Sequence, residues 1–217
     1  MNTAQIILNT ETFVKSTLKN AEGGHDWFHI KRVWNNAKLI AKNENVNIFI
    51  VEIGALLHDI ADSKFHNGNE TIGPKLAREF LESQQVSKET ISHIENIILN
   101  ISFKGGNFEQ TFTSPELNVI QDADRLDAIG AIGIARCFNY GGFKNRPLYN
   151  PEIAPKLNQS KEEYKNSKAP TINHFHEKLL LLKDRMNTAS GKKIAEERHQ
   201  YMKDFLQQFY NEWNGVK

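Results

Sequence analysis

The chain has 217 residues, with 27 basic against 26 acidic side chains and a formal net charge of +1. That length buries a sizeable core in one domain without staples, and the near-zero net charge leaves no electrostatic footprint for nucleic acid or an anionic membrane. A single cysteine, Cys137, excludes an intrachain disulfide and a cysteine-based zinc site.

The N-terminal stretch MNTAQIILNTETFVKSTLKN carries Glu11 and only a short apolar run, so it reads as a helix and not as a secretory leader. No apolar run approaches the ~20 residues of a membrane span, and the expected location is the cytoplasm. In HIKRVWNNAKLIAK, Ile30, Val33, Ala37, Ile40 and Ala41 recur at helical spacing. The next helix is expected from about Ile48 to Asp62, with others near 70–84, 88–101, 115–137, 171–186 and 188–213. No stretch joins β-branched richness to clean period-2 alternation, so the expected class is all-α. One domain over 1–217 is expected, with a core at about 25–138 and C-terminal helices over 171–213. Between them, 139–170 holds four of the six prolines. A structureless stretch of that length is either a lid over substrate or an exposed connection.

The chemistry starts in GALLHDIAD, residues 54–62. Its apolar residues suit a buried helix, but His58, Asp59 and Asp62 do not. A carboxylate buried without partners costs several kcal/mol, and a metal ion supplies the missing partner. Imidazole and carboxylate together suit Mn, Fe, Co or Zn. Two adjacent residues cannot complete such a site. Upstream, His29 sits near the start of an amphipathic helix; downstream, QDADRLDAIGAIG offers Asp122, Asp124 and Asp127. Asp124 and Asp127 share a helical face and Asp122 is rotated from both. His29, His58, Asp59 and Asp124 make a four-ligand set drawn from three segments. The plainer reading of 122–127 is a charged helix face pairing with Arg125 and lysines, and that of His29 is an ordinary half-buried histidine.

The order His29, His58-Asp59, Asp124, each on a helix, resembles the HD-domain superfamily of metal-dependent phosphohydrolases. The blocks HDWFHIKRVWNNA, ALLHDIADSKF, QDADRLDAIGAIGIAR and HFHEKLLLLKDRM together are similar to its stand-alone bacterial hydrolases, over roughly 25–205. The resemblance implies a compact helical bundle, the HD domain, with the metal between helices. It also implies metal ligation by His29, His58, Asp59 and Asp124. At Asp62 some members carry an acidic residue that helps activate the nucleophilic water, which suits a general base; the alternative is a partner that orients His58. Members with two metals place further His ligands in the interval that here holds His66 and His93. Neither lies in a paired-His motif, so one divalent ion is expected. Mn2+ is the ion expected, with Mg2+, Co2+, Fe2+ or Zn2+ as alternatives.

Cations for a substrate phosphate are sought at Arg32, Lys64, Lys104, Arg125 and Lys178, and His25 and His174 are candidates for lining the pocket. Asp26 is expected to cap the helix that carries His29. The resemblance implies hydrolysis of nucleotides by a metal-activated water, with cleavage of a nucleoside triphosphate to monophosphate and pyrophosphate the favoured reaction. The alternatives are a nucleotide monophosphatase, another phosphoester hydrolase of the same fold, or a non-catalytic metal- and nucleotide-binding regulatory module. The expected partner is a small phosphorylated molecule, with no stable nucleic acid and no membrane, in a monomer or homodimer.

Overall fold

The structure, a computed structural model, describes residues 2–19, 21, 24–61, 69, 71–101, 110–160, 163 and 166–216. Among these residues there are helices and no strand, and none of the helices is long and apolar enough to cross a membrane. The fold is all-α. Packing divides the chain into two units, Met1–Asp124 and Arg125–Lys217.

In the first unit, α1 (Thr3–Thr17) starts at Asn2, whose side chain accepts from Ala4 N, and it buries Ile6, Thr10 and Val14 one turn apart. Thr10 meets its burial by donating Oγ1–H to Ile6 O at 2.7 Å. The next helix, α2 (Trp27–Ala41), buries His29, Ile30, Val33, Ala37 and Ile40. His29 therefore lies on the apolar stripe, where an imidazole needs a reason to be. Helix α3 (Ile48–Leu57) buries seven of its ten residues, as expected of a central helix surrounded by others. It packs on α1, on α2 and on α5 (Lys88–Asn100), while α4 (Ile72–Ser83) packs on α5. At Gly54 a Cβ would stand 2.6 Å from Ile120 Cδ1, so the missing side chain lets α3 approach α6 (Pro115–Asp127) closely.

The second unit contains α7 (Gly130–Phe143), a one-turn α8 (Asn173–Glu177), a 3-10 helix (Leu179–Arg185) and α9 (Ala189–Trp213). Phe138, Phe175 and Phe205 from three of these elements cluster with ring centroids 5.9–6.0 Å apart, Phe175 and Phe205 stacked and Phe138 set at an angle to both. Cys137 is buried here, and burial pushes its thiol up to about 12 against the opposing charge of Arg146. It stays protonated and is no nucleophile.

Three expected helices differ from those observed. The segment 115–137 is not one helix but two, α6 and α7. Ile129 is extended and Gly130 adopts φ +72°, a conformation that side chains disfavour. At Gly133 a Cβ would stand 2.2 Å from Ala128 O. The freed carbonyls at the end of α6 are taken up by arginines: Arg136 donates to Asp127 O and Arg198 to Leu126 O. Residues 171–186 form α8 and the 3-10 helix, broken at Lys178. The helix expected to reach Asp62 ends at Leu57 and passes into a turn over 58–61; Asp62 lies outside the described residues.

Helix α7 also continues through Phe143, past the expected start of the irregular segment. Beyond it the chain is tied into the second unit. Thr171 N and Ile172 N donate to Pro147 O and Leu148 O at 2.9 and 3.1 Å, Asn173 Nδ2 donates to Ile153 O, and Lys156 N to Glu177 Oε1.

Candidate metal centre

The centre is assembled in the first unit. At the N-terminus of α2, Asp26 Oδ1 accepts from His29 N at 2.9 Å. This is the expected cap, and it fixes where the helix starts and so which way His29 leaves it. His29 is 3% exposed. From the end of α3, His58 (5% exposed) brings its ring to 5.4 Å from that of His29, centroid to centroid. Asp59 follows at once. One ligand atom from each of His29, His58 and Asp59 lies within 4.8 Å of the other two. Asp124, on α6, places Oδ1 3.6 Å from His29 Nε2.

His58 carries the evidence about what this cluster wants. Its Nδ1 lies 2.8 Å from the Ala55 carbonyl. A carbonyl oxygen only accepts, so Nδ1 holds the proton and Nε2 is the lone-pair nitrogen. That Nε2 is buried and has no hydrogen-bond partner among the described residues. A polar atom left so costs about 1–3 kcal/mol. A cation is the partner that satisfies a bare imidazole lone pair among a second imidazole and a carboxylate.

Asp59 has the charge for this. Burial raises its carboxyl, but the hydrogen bond from His25, together with the electrostatic influence of the neighbouring His58, His25 and His29, outweighs burial and holds it below the usual carboxylate range. The His25 bond runs from Nδ1 to Asp59 Oδ2 at 2.5 Å. The donor set that the described residues bring together, two imidazoles and the Asp59 carboxylate, suits a divalent first-row ion; Asp124, expected as a fourth ligand, stands outside that group although its Oδ1 is near His29.

Two other aspartates of α6 are more deeply buried than Asp124. Asp122 is fully buried. Asp127, 1% exposed, pairs with Arg136, not with Arg125. Arg125 instead donates to Arg185 O at 2.6 Å. His93 donates or accepts at Ser114 Oγ, 2.9 Å away, and lies 3.6 Å from Glu116 Oε2.

Among the cation candidates, Arg32 is half-buried on α2, one turn after His29. Arg125, His174 and Lys178 belong to the second unit. There His174 is half-buried in α8, and burial, with Lys178 and Arg146 adding, lowers its pKa to about 4. Lys64, Lys104 and His66 lie outside the described residues, as does Asp62. Sequence reasoning placed His25 beside the pocket but missed its bond to Asp59. The two are 34 residues apart, and nothing in local spacing signals the pair.

A family model described as the HD domain matches residues 27–129, an interval that contains His29, His58, Asp59 and Asp124. The protein YpgQ of Bacillus subtilis is 38% identical over 208 residues, spanning 94% of this chain and 92% of YpgQ. The chain belongs to the HD-domain superfamily. Solved HD proteins extend the likeness to the whole chain. An HD-superfamily hydrolase from Bacillus thuringiensis is 44% identical, covers 98% of this chain and 99% of its own, and has a TM-score of 0.80. YpgQ solved in complex with ADP is 35% identical, with 98% and 97% covered and a TM-score of 0.77.

Proposed function

We propose that this HD protein is a metal-dependent phosphohydrolase acting on nucleotides, and that it cleaves a nucleoside triphosphate to monophosphate and pyrophosphate. The observation that carries the reading is the buried Nε2 of His58, without a hydrogen-bond partner among the described residues, beside His29 and Asp59. A nucleotide as the ligand is supported by the ADP complex of the relative YpgQ, and a hydrolase by the Bacillus thuringiensis relative, itself an HD-superfamily hydrolase.

His29, His58, Asp59 and Asp124 would hold one divalent ion, Mn2+ in this proposal. Such an ion polarises a phosphoryl oxygen and lowers the pKa of water. The rest is the work of the chain. The Ala55 carbonyl fixes the His58 tautomer, and Asp59 enters the site as an anion. Arg32, on the same helix as His29, is assigned to the substrate phosphates. Asp62, three residues after Asp59 in the sequence, is assigned as general base: its carboxylate takes a proton from the attacking water. The water oxygen bonds to the α-phosphorus, the bond from that phosphorus to the bridging oxygen breaks, and pyrophosphate leaves with the bridging oxygen.

The test is a nucleotide panel incubated with metal-stripped protein, with Mn2+, Mg2+, Co2+ or Zn2+ added back and products resolved by chromatography. Pyrophosphate and monophosphate formed only with metal is the expected result. Orthophosphate in place of pyrophosphate would move the reading to a phosphatase. Metal bound in stoichiometric amount without product from any nucleotide would move it to a binding module.

A further inference from the structure

The tripeptide Gly24-His25-Asp26 does two things at one end of α2. Gly24, at φ +118°, turns the chain in a conformation that glycine adopts freely. Asp26 then caps α2 and sets the direction of His29. Between them His25 reaches across 34 residues to Asp59, Nδ1 to Oδ2 at 2.5 Å. The carboxylate can only accept there, so Nδ1 donates. The contact is neither a loose surface pair nor a buried one: the His25 side chain is 31% exposed and that of Asp59 17%. His25 itself is not among the residues whose ligand atoms cluster within 4.8 Å.

We propose that His25 is a positioning residue for the metal centre, and that its Nδ1–H···Oδ2 bond holds the Asp59 carboxylate so that Oδ1 is presented to the ion. This rests on the reading of His29, His58 and Asp59 as metal ligands. His25 thus acts through Asp59 rather than by contact with substrate. An aspartate carboxylate free to rotate about its side-chain torsions can turn its oxygens toward solvent or offer both to an ion. Fixing Oδ2 removes that freedom before the ion arrives. The same tripeptide thereby sets His29 through the cap and Asp59 through the histidine, so two ligands from separate segments keep one register. Hydrogen-bond partners that orient a ligand in this way are worth 10–100-fold in metal affinity.

The experiment is a calorimetric titration of metal-free protein with Mn2+, without substrate, for the wild type, His25→Ala and His25→Asn. Asparagine is the informative variant, because its Nδ2 stands the same number of bonds from Cβ as the histidine Nδ1 and can donate to the same oxygen. Thermal unfolding of each metal-free protein accompanies the titrations. The expected result is a Kd raised 10–100-fold in His25→Ala and restored to within about threefold of wild type in His25→Asn. Wild-type affinity in His25→Ala would overturn the inference. Equal weakening in both variants would overturn it too, because the donated hydrogen bond would not then be the cause. If the wild type binds no Mn2+, the metal reading beneath it fails instead. Should His25→Ala not fold, the asparagine variant decides: wild-type affinity supports the bond and a 10-fold loss overturns it.

Discussion

His58 donates its Nδ1 proton to the Ala55 carbonyl at 2.8 Å, and this bond is what leaves its Nε2 as a buried lone pair that no group among the described residues satisfies. The tautomer is chosen by the backbone before any ligand arrives. His58→Ala should therefore remove metal outright, from about one equivalent to under about a tenth after purification and dialysis. Elemental analysis of the purified protein reads this directly. A His58→Ala protein that keeps full metal would place the ion elsewhere.

Asp62→Asn should separate binding from turnover. If Asp62 takes the proton of the attacking water, the variant keeps the metal affinity of the wild type and its KM changes little. Its kcat falls by about 10²–10⁴, the usual worth of a positioned general base. If Asp62 instead orients His58, metal affinity falls with the rate. Measuring both on one preparation distinguishes the two roles.

The sequence was most legible where a physical period repeats. Ile30, Val33, Ala37 and Ile40 are the stripe that α2 buries, and Asp26 caps that helix as its place before the apolar run suggests. The break between α6 and α7 was not read, because DAIGAIG keeps helical spacing straight through it. Gly130 and Gly133 were the available signal: one turns with positive φ and the other clears the Ala128 carbonyl. The acidic run shows the same limit. Spacing puts Asp124 and Asp127 on one face but cannot say that a His lies opposite the first and an Arg opposite the second. The His25–Asp59 bond was out of reach altogether, since it is a tertiary contact with no local pattern.

His174 predicts a pH dependence of stability. Its folded pKa is lowered from 6.5 to about 4 by burial and by Lys178 and Arg146. The native state keeps the imidazole neutral while the unfolded chain takes up a proton below 6.5, so stability falls as pH drops from about 6.5 to about 4 and levels off below that. At 1.36 kcal/mol per pKa unit the full loss is about 3 kcal/mol. Burial lowers His176 and His199 as well, which acts in the same direction. His174→Gln should flatten the slope between pH 6.5 and 4 in urea denaturation, with little change at pH 8. An unchanged slope would remove His174 from the account.

Gly133→Ala should destabilise the protein by about 1–3 kcal/mol, the cost of forcing an extra methyl into a packed site. The added Cβ would stand 2.2 Å from Ala128 O and 2.5 Å from Ala128 C. These are backbone atoms of the turn into α7, so a side-chain rotation cannot relieve the clash. Gly142→Ala is the control, because a Cβ there meets nothing within 4 Å. On a helix, replacing glycine by alanine at such an open position is neutral to stabilising. Thermal unfolding of the two variants should therefore shift in opposite directions, or shift for Gly133 alone.

The two carboxylates three residues apart on α6 should fail in different ways when each is changed to the amide. Asp124 Oδ1 lies 3.6 Å from His29 Nε2 and its side chain is 40% exposed. Asp124→Asn removes a charge that the fold does not need, so stability without metal should change by less than about 0.5 kcal/mol, while metal affinity and turnover fall together. Asp127 is 1% exposed and binds the Arg136 guanidinium that also reaches Asp127 O. Asp127→Asn removes the charge of a buried acceptor and should cost about 2 kcal/mol, with metal affinity per folded molecule unchanged. Urea denaturation of metal-free protein and Mn2+ titration, run on both variants, give four numbers. Loss of metal binding in Asp127→Asn with retention in Asp124→Asn would reverse the assignment and put the ion on the other end of the acidic run.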